Sequence, residues 1–484
     1  MNTKFLKNTT PFLAAGALLL GGCQPDIDAP KVDKGSADFT RYIAVGNSLT
    51  AGFMDNGLYL EGQQNSYPSI LAQQFQQAGG GEFVQPLFNQ ANQQNGSGFL
   101  RLTGFDATGS PITTFVPGNA GRIPSSPASA PYTKFTGPIN NLGVPGIRLA
   151  DIQTAKFGNI QTTPLNAATF NPYFERITPD GSDVSYFQRV KAEAATATFF
   201  TTWLGNNDVL GFATSGGAST TSTITRTDTF TLKSQRIINV LTANGAKGVV
   251  STIPDVTGIP FFTTVGPRLK ATLVANNVPG LVIQTGAAAG LANSTNRKQI
   301  ATTDIRDASG GRQLFTLTGA PFVSLIGRPT GRPWRFVYAQ SGQPAAGFPL
   351  FLAAYGIDTL QALGVTAQNP FPSAFVLDDV EQGQVNTATT AFNNALRTQA
   401  LAKNLAIFDA NVFFTSVSNN GFATNGVRNT AAFISGNLFS LDGVHPTPRG
   451  YAAIANEMIK VINAKYGSSL QLVDPNQYRG VLLP

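Results

Sequence analysis

At 484 residues the chain is too long for one minimal domain and long enough for a large domain with insertions, or for two. Hydrophobic residues make up 42 %, enough for a sizeable core, whereas charged residues are only 12 %, against roughly 25 % in average soluble domains. The formal charge of +7 becomes 7 − 2 = +5 once Lys4 and Lys7 of a leader-like stretch are set aside, and no basic run interleaves with aromatics, so a nucleic-acid partner is not expected.

Residues 1–22 read as a leader. Lys4 and Lys7 form a positive start, and Phe12 to Leu20 is apolar but too short to span a bilayer. Leu20-Gly21-Gly22-Cys23 follows and resembles the lipobox of bacterial lipoproteins, in which the Cys receives a diacylglycerol and becomes the first residue. Cys23 is the only cysteine, so no intramolecular disulfide is possible. A lipid anchor at Cys23 implies a cell-envelope protein held to a membrane. Gln24 stands where an Asp would signal inner-membrane retention, so the outer membrane is expected. Residues 23–38 are Pro-, Asp-, Lys- and Gly-rich and read as a tether.

Tyr42-Ile43-Ala44-Val45 ends at Gly46 and predicts a buried strand. Pro68 opens a helix with Leu71 and Phe75 four apart, stopped by Gly79-Gly80-Gly81. Residues from about 79 to 140 are rich in Gly, Asn, Gln, Pro and Ser and read as an irregular insertion. Thr198 to Leu204 predicts a second strand ending at Gly205, followed by a helix over Leu232 to Leu241 and a strand over Val249 to Ile253. A second insertion, about 267–372, is dense in Phe, Pro and Gly. Val385, Ala388, Phe392, Ala395 and Gln399 then hold helical spacing, and Leu405 to Phe408 predicts a strand. Thr447 and Pro448 can open a last helix whose Tyr451, Ile454, Ala455, Met458 and Ile462 share one face; residues 466–484 read as a C-terminal tail. Alternating strands and helices argue for an α/β fold with a parallel sheet covered on both faces, whose reactive groups gather at the strands' carboxyl ends.

His445 is the only histidine, which excludes zinc sites built on several imidazoles while leaving a carboxylate-only metal site open. In Asp442-Gly443-Val444-His445 a carboxylate precedes the ring by three residues, a spacing that lets it accept from one ring nitrogen and leave the other free to take a proton. Gly46-Asn47-Ser48-Leu49 offers a nucleophile at a strand-to-helix corner; plain turn chemistry would also account for it. The α/β-hydrolase elbow Gly-x-Ser-x-Gly is not met, because Thr50 fills its last position. Gly205-Asn206-Asn207-Asp208 can bring an amide to the mouth of the sheet, and Leu142-Gly143-Val144-Pro145-Gly146 can present a bare backbone N–H.

These four segments resemble, in order, the blocks of the SGNH (GDSL-like) hydrolase family. The likeness covers the regular parts of about residues 40–465. It implies a three-layer α/β/α fold with a flavodoxin-like parallel sheet, here a domain over 39–465 carrying the two insertions, and ester hydrolysis without cofactor or metal. It further implies that Ser48 attacks the carbonyl, His445 relays the proton and Asp442 orients His445. The Ser48 N–H, the Gly146 N–H and the Asn207 side chain would stabilise the oxyanion. Gly143 is the alternative to Gly146. Asn47 departs from the family's usual Asp, whose role there is structural. Asp208 is expected to act structurally. The substrate is expected to be a hydrophobic acyl ester, with the Phe-rich second insertion as lid or acyl pocket, unless that segment only extends the core. The other functions weighed are a glycan O-acetyl esterase, an inactive scaffold acting as a surface binding lipoprotein, and a metal-dependent phosphodiesterase.

Overall fold

The computed structural model describes residues 32–88, 93–107, 109–118, 132–135, 137–159, 170–286 and 296–484. Cys23 and the leader lie outside them. The sheet is built from β1 (Tyr42–Gly46), β2 (Asn141–Gly143), β3 (Phe199–Trp203), β4 (Lys247–Ser251) and β5 (Ala406–Phe408). All neighbours pair in parallel in the order β2-β1-β3-β4-β5, one of the common doubly wound orders.

The strands are mostly buried because both faces are covered. Successive residues of a strand point to opposite faces. Ile43, Val45, Phe200 and Val250 therefore pack with α3 (Tyr186–Ala194), α5 (Thr227–Leu241) and α6 (Asp379–Ala402), where the Phe230 and Phe392 rings stack at 3.8 Å. Tyr42, Ala44, Phe199, Trp203 and Phe408 pack on the other side with α2 (Tyr67–Gln77) and α7 (Pro448–Tyr466). The caps follow the local sequence. Ser66 accepts from Ser69 N–H, Asp378 and Glu381 form a reciprocal capping box, and Thr447 accepts from Gly450 N–H ahead of Pro448.

Three expectations need correction. The tether does not run to residue 38: Ala37 is buried and Ser36 N–H donates to the Tyr466 carbonyl, so the folded body already includes these residues. The tail after Tyr466 folds back, with Leu470 buried and Arg479 paired to Glu61. The stretch about 79–140 is not wholly irregular, since Gly98–Phe105 and Pro111–Pro117 form an antiparallel hairpin. Its Thr, Ile and Val supply β-propensity that the surrounding Gly and Pro obscure.

Between β4 and α6 the chain forms a separate apolar cluster. Gly280–Gln284 pairs antiparallel with Arg297–Ala301, and Leu314–Phe315 with Val376–Leu377. Phe315, Phe322, Phe371 and Phe375 pack there with Leu269, Leu281 and Ile283.

Candidate active site

Ser48 stands at the carboxyl end of β1, between the edge strand β2 and the central strand β3. A Cβ at position 46 would run into Thr50 Oγ1 and the Trp203 carbonyl, so only glycine lets the chain turn this closely out of the sheet. Asn47 caps the short helix α1 (Ser48–Ala51) by accepting from Leu49 N–H at 3.1 Å. An amide oxygen thus fills a capping role that a carboxylate could also fill. Ser48 opens α1, where a backbone N–H has no partner within the helix.

His445 arrives on the loop before α7. The Ser48 hydroxyl donates to His445 Nε2 at 2.9 Å, and His445 Nδ1–H donates to Asp442 Oδ2 at 2.9 Å. The Phe53 ring lies 4.7 Å from the imidazole and limits its swing. Asp442 accepts from five donors: the imidazole, the N–H groups of Asn56, Val444 and His445, and the Ser440 hydroxyl. Burial pushes its carboxyl up, but the His445 charge and these donors outweigh burial and hold it at about 2. Asp442 therefore stays an acceptor, which selects the tautomer with the proton on Nδ1 and leaves Nε2 free to receive one.

The third segment starts at Gly205, whose φ of +111° is open to glycine alone and whose Cβ would strike the Phe230 ring at 2.8 Å. Asn207, first residue of α4 (Asn207–Thr214), donates through Nδ2 to the Ile147 carbonyl at 2.9 Å. One amide proton is thereby used and the other is free. Asp208 is fully buried and accepts from Leu149 N–H at 2.7 Å, Ala150 N–H at 3.1 Å and the Thr225 hydroxyl at 2.7 Å. Burial raises its carboxyl to about 6 against these donors. Asp208 thus ties the Gly205 loop to the loop that leaves β2, the structural part expected of it.

That second loop separates the two candidate glycines. Gly143 N–H is taken by the Asn141 side chain at 2.9 Å. Among the described residues, neither Gly146 N–H nor Ser48 N–H has an acceptor. Gly146 is exposed and sits one residue before the carbonyl that pins Asn207.

A slot of about 480 Å³, mouth included, opens beside Ser48 and His445. Asn206 and Asn207 line it together with Leu210, Val256, Ile259, Phe414, Phe439 and Val444. Among the described residues, none from 267–372 contributes to that lining. Asn206 Oδ1 is buried there without a partner.

Several supporting residues carried no signal in the sequence. Tyr186 is buried behind β1, where its hydroxyl donates to the Leu142 carbonyl at 2.7 Å and accepts from Gly46 N–H at 3.0 Å. Asp55 accepts from Leu441 N–H and from the Tyr59 hydroxyl, while its own N–H donates to Ser440. Asp55 and Asn56 adopt φ of 52° and 61°, left-handed values that Asp and Asn tolerate. Arg479 closes this layer, bound to Glu61 through both carboxylate oxygens and 3.9 Å from Asp55. Among the described residues no group of three or more His, Cys, Asp or Glu is placed to hold a metal ion, and no helix is long and apolar enough to cross a membrane. No protein-family model and no curated protein matches the chain.

Proposed function

We propose that this protein is a lipid-anchored ester hydrolase of the SGNH (GDSL-like) type, on a three-layer fold with insertions near 79–140 and 267–372, and that it works through an acyl-enzyme on Ser48. The observation that carries the reading is the hydrogen-bonded line from Ser48 through His445 to a buried, ionised Asp442. Ser48 Oγ attacks the ester carbonyl carbon and its proton moves to His445 Nε2. The C–O bond to the alcohol then breaks and the leaving oxygen takes that proton. Water, giving its proton to His445, then attacks the acyl carbon, the bond to Ser48 Oγ breaks, and His445 returns the proton to Ser48 Oγ as the acid leaves. The Ser48 N–H, the Gly146 N–H and the Asn207 amide are the donors for the oxyanion, and their unfilled positions favour this role. No step calls for a cofactor.

The slot's lining favours an apolar acyl group, and the space enclosed within it is small, about 40 Å³. An acyl group of modest length fits better than a long lipid chain. The anchor is a lipid on Cys23, and the location is the outer membrane.

Labelling with a fluorophosphonate, followed by turnover of aryl esters from acetyl to long acyl, tests the reading. Labelling of the parent and none of Ser48→Ala is the expected result. A folded parent that neither labels nor turns over would leave a binding scaffold instead. Mass spectrometry of the N-terminal peptide tests the anchor; an unmodified Cys23 would remove it.

A further inference from the structure

The end of the sheet opposite Ser48 carries a second hollow, of about 730 Å³ with its mouth, that the hydrolytic reading leaves unused. Lys247, Lys403 and Lys465 line it beside Ser36, Asn404 and Tyr466. Lys247 starts β4, Lys403 caps the carboxyl end of α6, and Lys465 is in the last turn of α7. Among the described residues none of the three has a carboxylate partner. Lys247 reaches the Ser36 carbonyl and lies 5.6 Å from the Tyr466 ring, and Lys465 donates to Asn404 at 2.7 Å. Asp33 and Asp38, the carboxylates nearest in the chain to Ser36, accept from backbone N–H groups of their own turns, Gly35 and Thr40. Helix carboxyl ends attract cations, but each supplies only about half a negative charge. Three ammonium groups around one hollow therefore leave a positive excess.

The chain enters the fold beside this hollow, with Ser36 bonded to Tyr466. Cys23 lies 32 − 23 = 9 residues before Val32, a reach of roughly 30 Å at full extension. A lipid on Cys23 would hold the amino ends of the strands close to the bilayer, while Ser48 lies at their carboxyl ends. We infer that the hollow lined by Lys247, Lys403 and Lys465 is a docking surface for anionic phospholipid headgroups, and that it turns the Ser48 slot away from the membrane. Lysine ammonium groups complement headgroup phosphates, at about five-fold in affinity per lysine near an anionic surface. The consequence for the hydrolase reading, on which this part rests, is a substrate that reaches the slot from the side facing away from the membrane rather than a lipid of the anchoring bilayer.

The test reconstitutes the lipidated chain in neutral vesicles and in vesicles with roughly 30 % anionic phospholipid. Lysines are then acetylated with a membrane-impermeant reagent and read by mass spectrometry. Lys403 and Lys465 should react several-fold more slowly in the anionic vesicles, and exposed Lys156, in the loop after β2, should react equally in both. High salt should erase the difference. Lys247, which lines the same hollow, should also be protected in the parent and should lose that protection in K403Q/K465Q, while aryl-ester turnover stays at the parent level. Equal rates in both vesicles, protection of Lys156, or protection by inorganic phosphate alone in neutral vesicles would overturn the inference. So would a Cys23 peptide without lipid. A parent that shows the protection but no turnover would instead sink the hydrolase reading and leave the docking surface standing.

Discussion

The loops at the carboxyl edge of the sheet and the body between β4 and α6 obey different physics. Around Ser48, short segments from distant parts of the chain meet through directed hydrogen bonds. A buried carboxylate there is kept ionised by five donors. The body from 256 to 377 instead packs aromatic rings on one another, with Phe375 5.1 Å from Phe322 and 5.8 Å from Phe371. The two regions meet behind the site, where Phe261 N–H donates to the Gly443 carbonyl at 2.9 Å. The start of this body thus braces the Asp442 loop from the back and lends the slot Val256 and Ile259 beside Phe414 and Phe439, while its aromatic cluster stays out of the lining. Polar wiring tolerates little change in residue type, whereas an apolar cluster tolerates much.

If that division holds, Ser48→Ala should lower turnover of an aryl ester by roughly 10⁴–10⁶-fold with the fold intact by circular dichroism. Asp442→Asn should cost about 10⁴-fold in kcat, because an amide cannot hold the Nδ1–H tautomer. It should also loosen the loop that Asn56, Val444 and Ser440 bind, measurable as faster amide exchange there. Asn207→Ala should lose roughly 10²–10³-fold in kcat with KM little changed, while Asn206→Ala, whose Oδ1 has no partner, should stay near the parent. A crippled Asn206→Ala beside an active Asn207→Ala would put the register of this loop off by one.

The body should answer in stability rather than chemistry. Phe375→Ala should cost about 3–5 kcal/mol in chemical denaturation yet leave kcat/KM and acyl-length preference unchanged below the transition. A shifted acyl preference would bring the body into the slot after all. The mildest effect concerns Glu381, at the start of α6, whose carboxyl burial and the Asp378 charge raise to about 8. A carboxyl raised in the fold binds its proton more tightly there than in the unfolded chain. Its contribution is therefore full below the ordinary Glu range and is lost as pH rises through about 8. Thermal stability should fall between about pH 4.5 and 8 in the parent and fall less in Glu381→Gln. Equal slopes would place the titration elsewhere.

Four of the five strands were legible because each holds a short apolar run closed by Gly, Pro or a polar turn; β2 was not, since Asn141-Leu142-Gly143 has a single large apolar residue. The last helix was legible through Thr447 and Pro448, and α2 through Pro68, with the apolar spacing behind them, whereas the caps Ser66 and Asp378 emerged only with the structure. Ser48, His445 and Asp442 could be named because the chemistry needs those residue types at those spacings and the chain holds a single histidine. The hairpin near residue 100 was hidden by Gly and Pro, and the pairing of Gly280–Gln284 with Arg297–Ala301 by a mixed local pattern. Tyr186, Asp55, Tyr59 and Arg479 left no trace because each acts on residues far away in the chain; Arg479 lies 418 residues from Glu61.

What local sequence determined here is whatever depends on neighbours along the chain: strand and helix identity, caps, the turn at Gly46, and the Asp442-to-His445 spacing that forms a hydrogen bond within one loop. Only the tertiary structure decided what depends on closure over hundreds of residues. It brought His445 within 2.9 Å of Ser48 across 397 positions. It also turned the phenylalanines of the second excursion into a core of their own. A phenylalanine carries no local record of which apolar surface will cover it, because burial is non-directional and is set by whichever surface the fold brings against it.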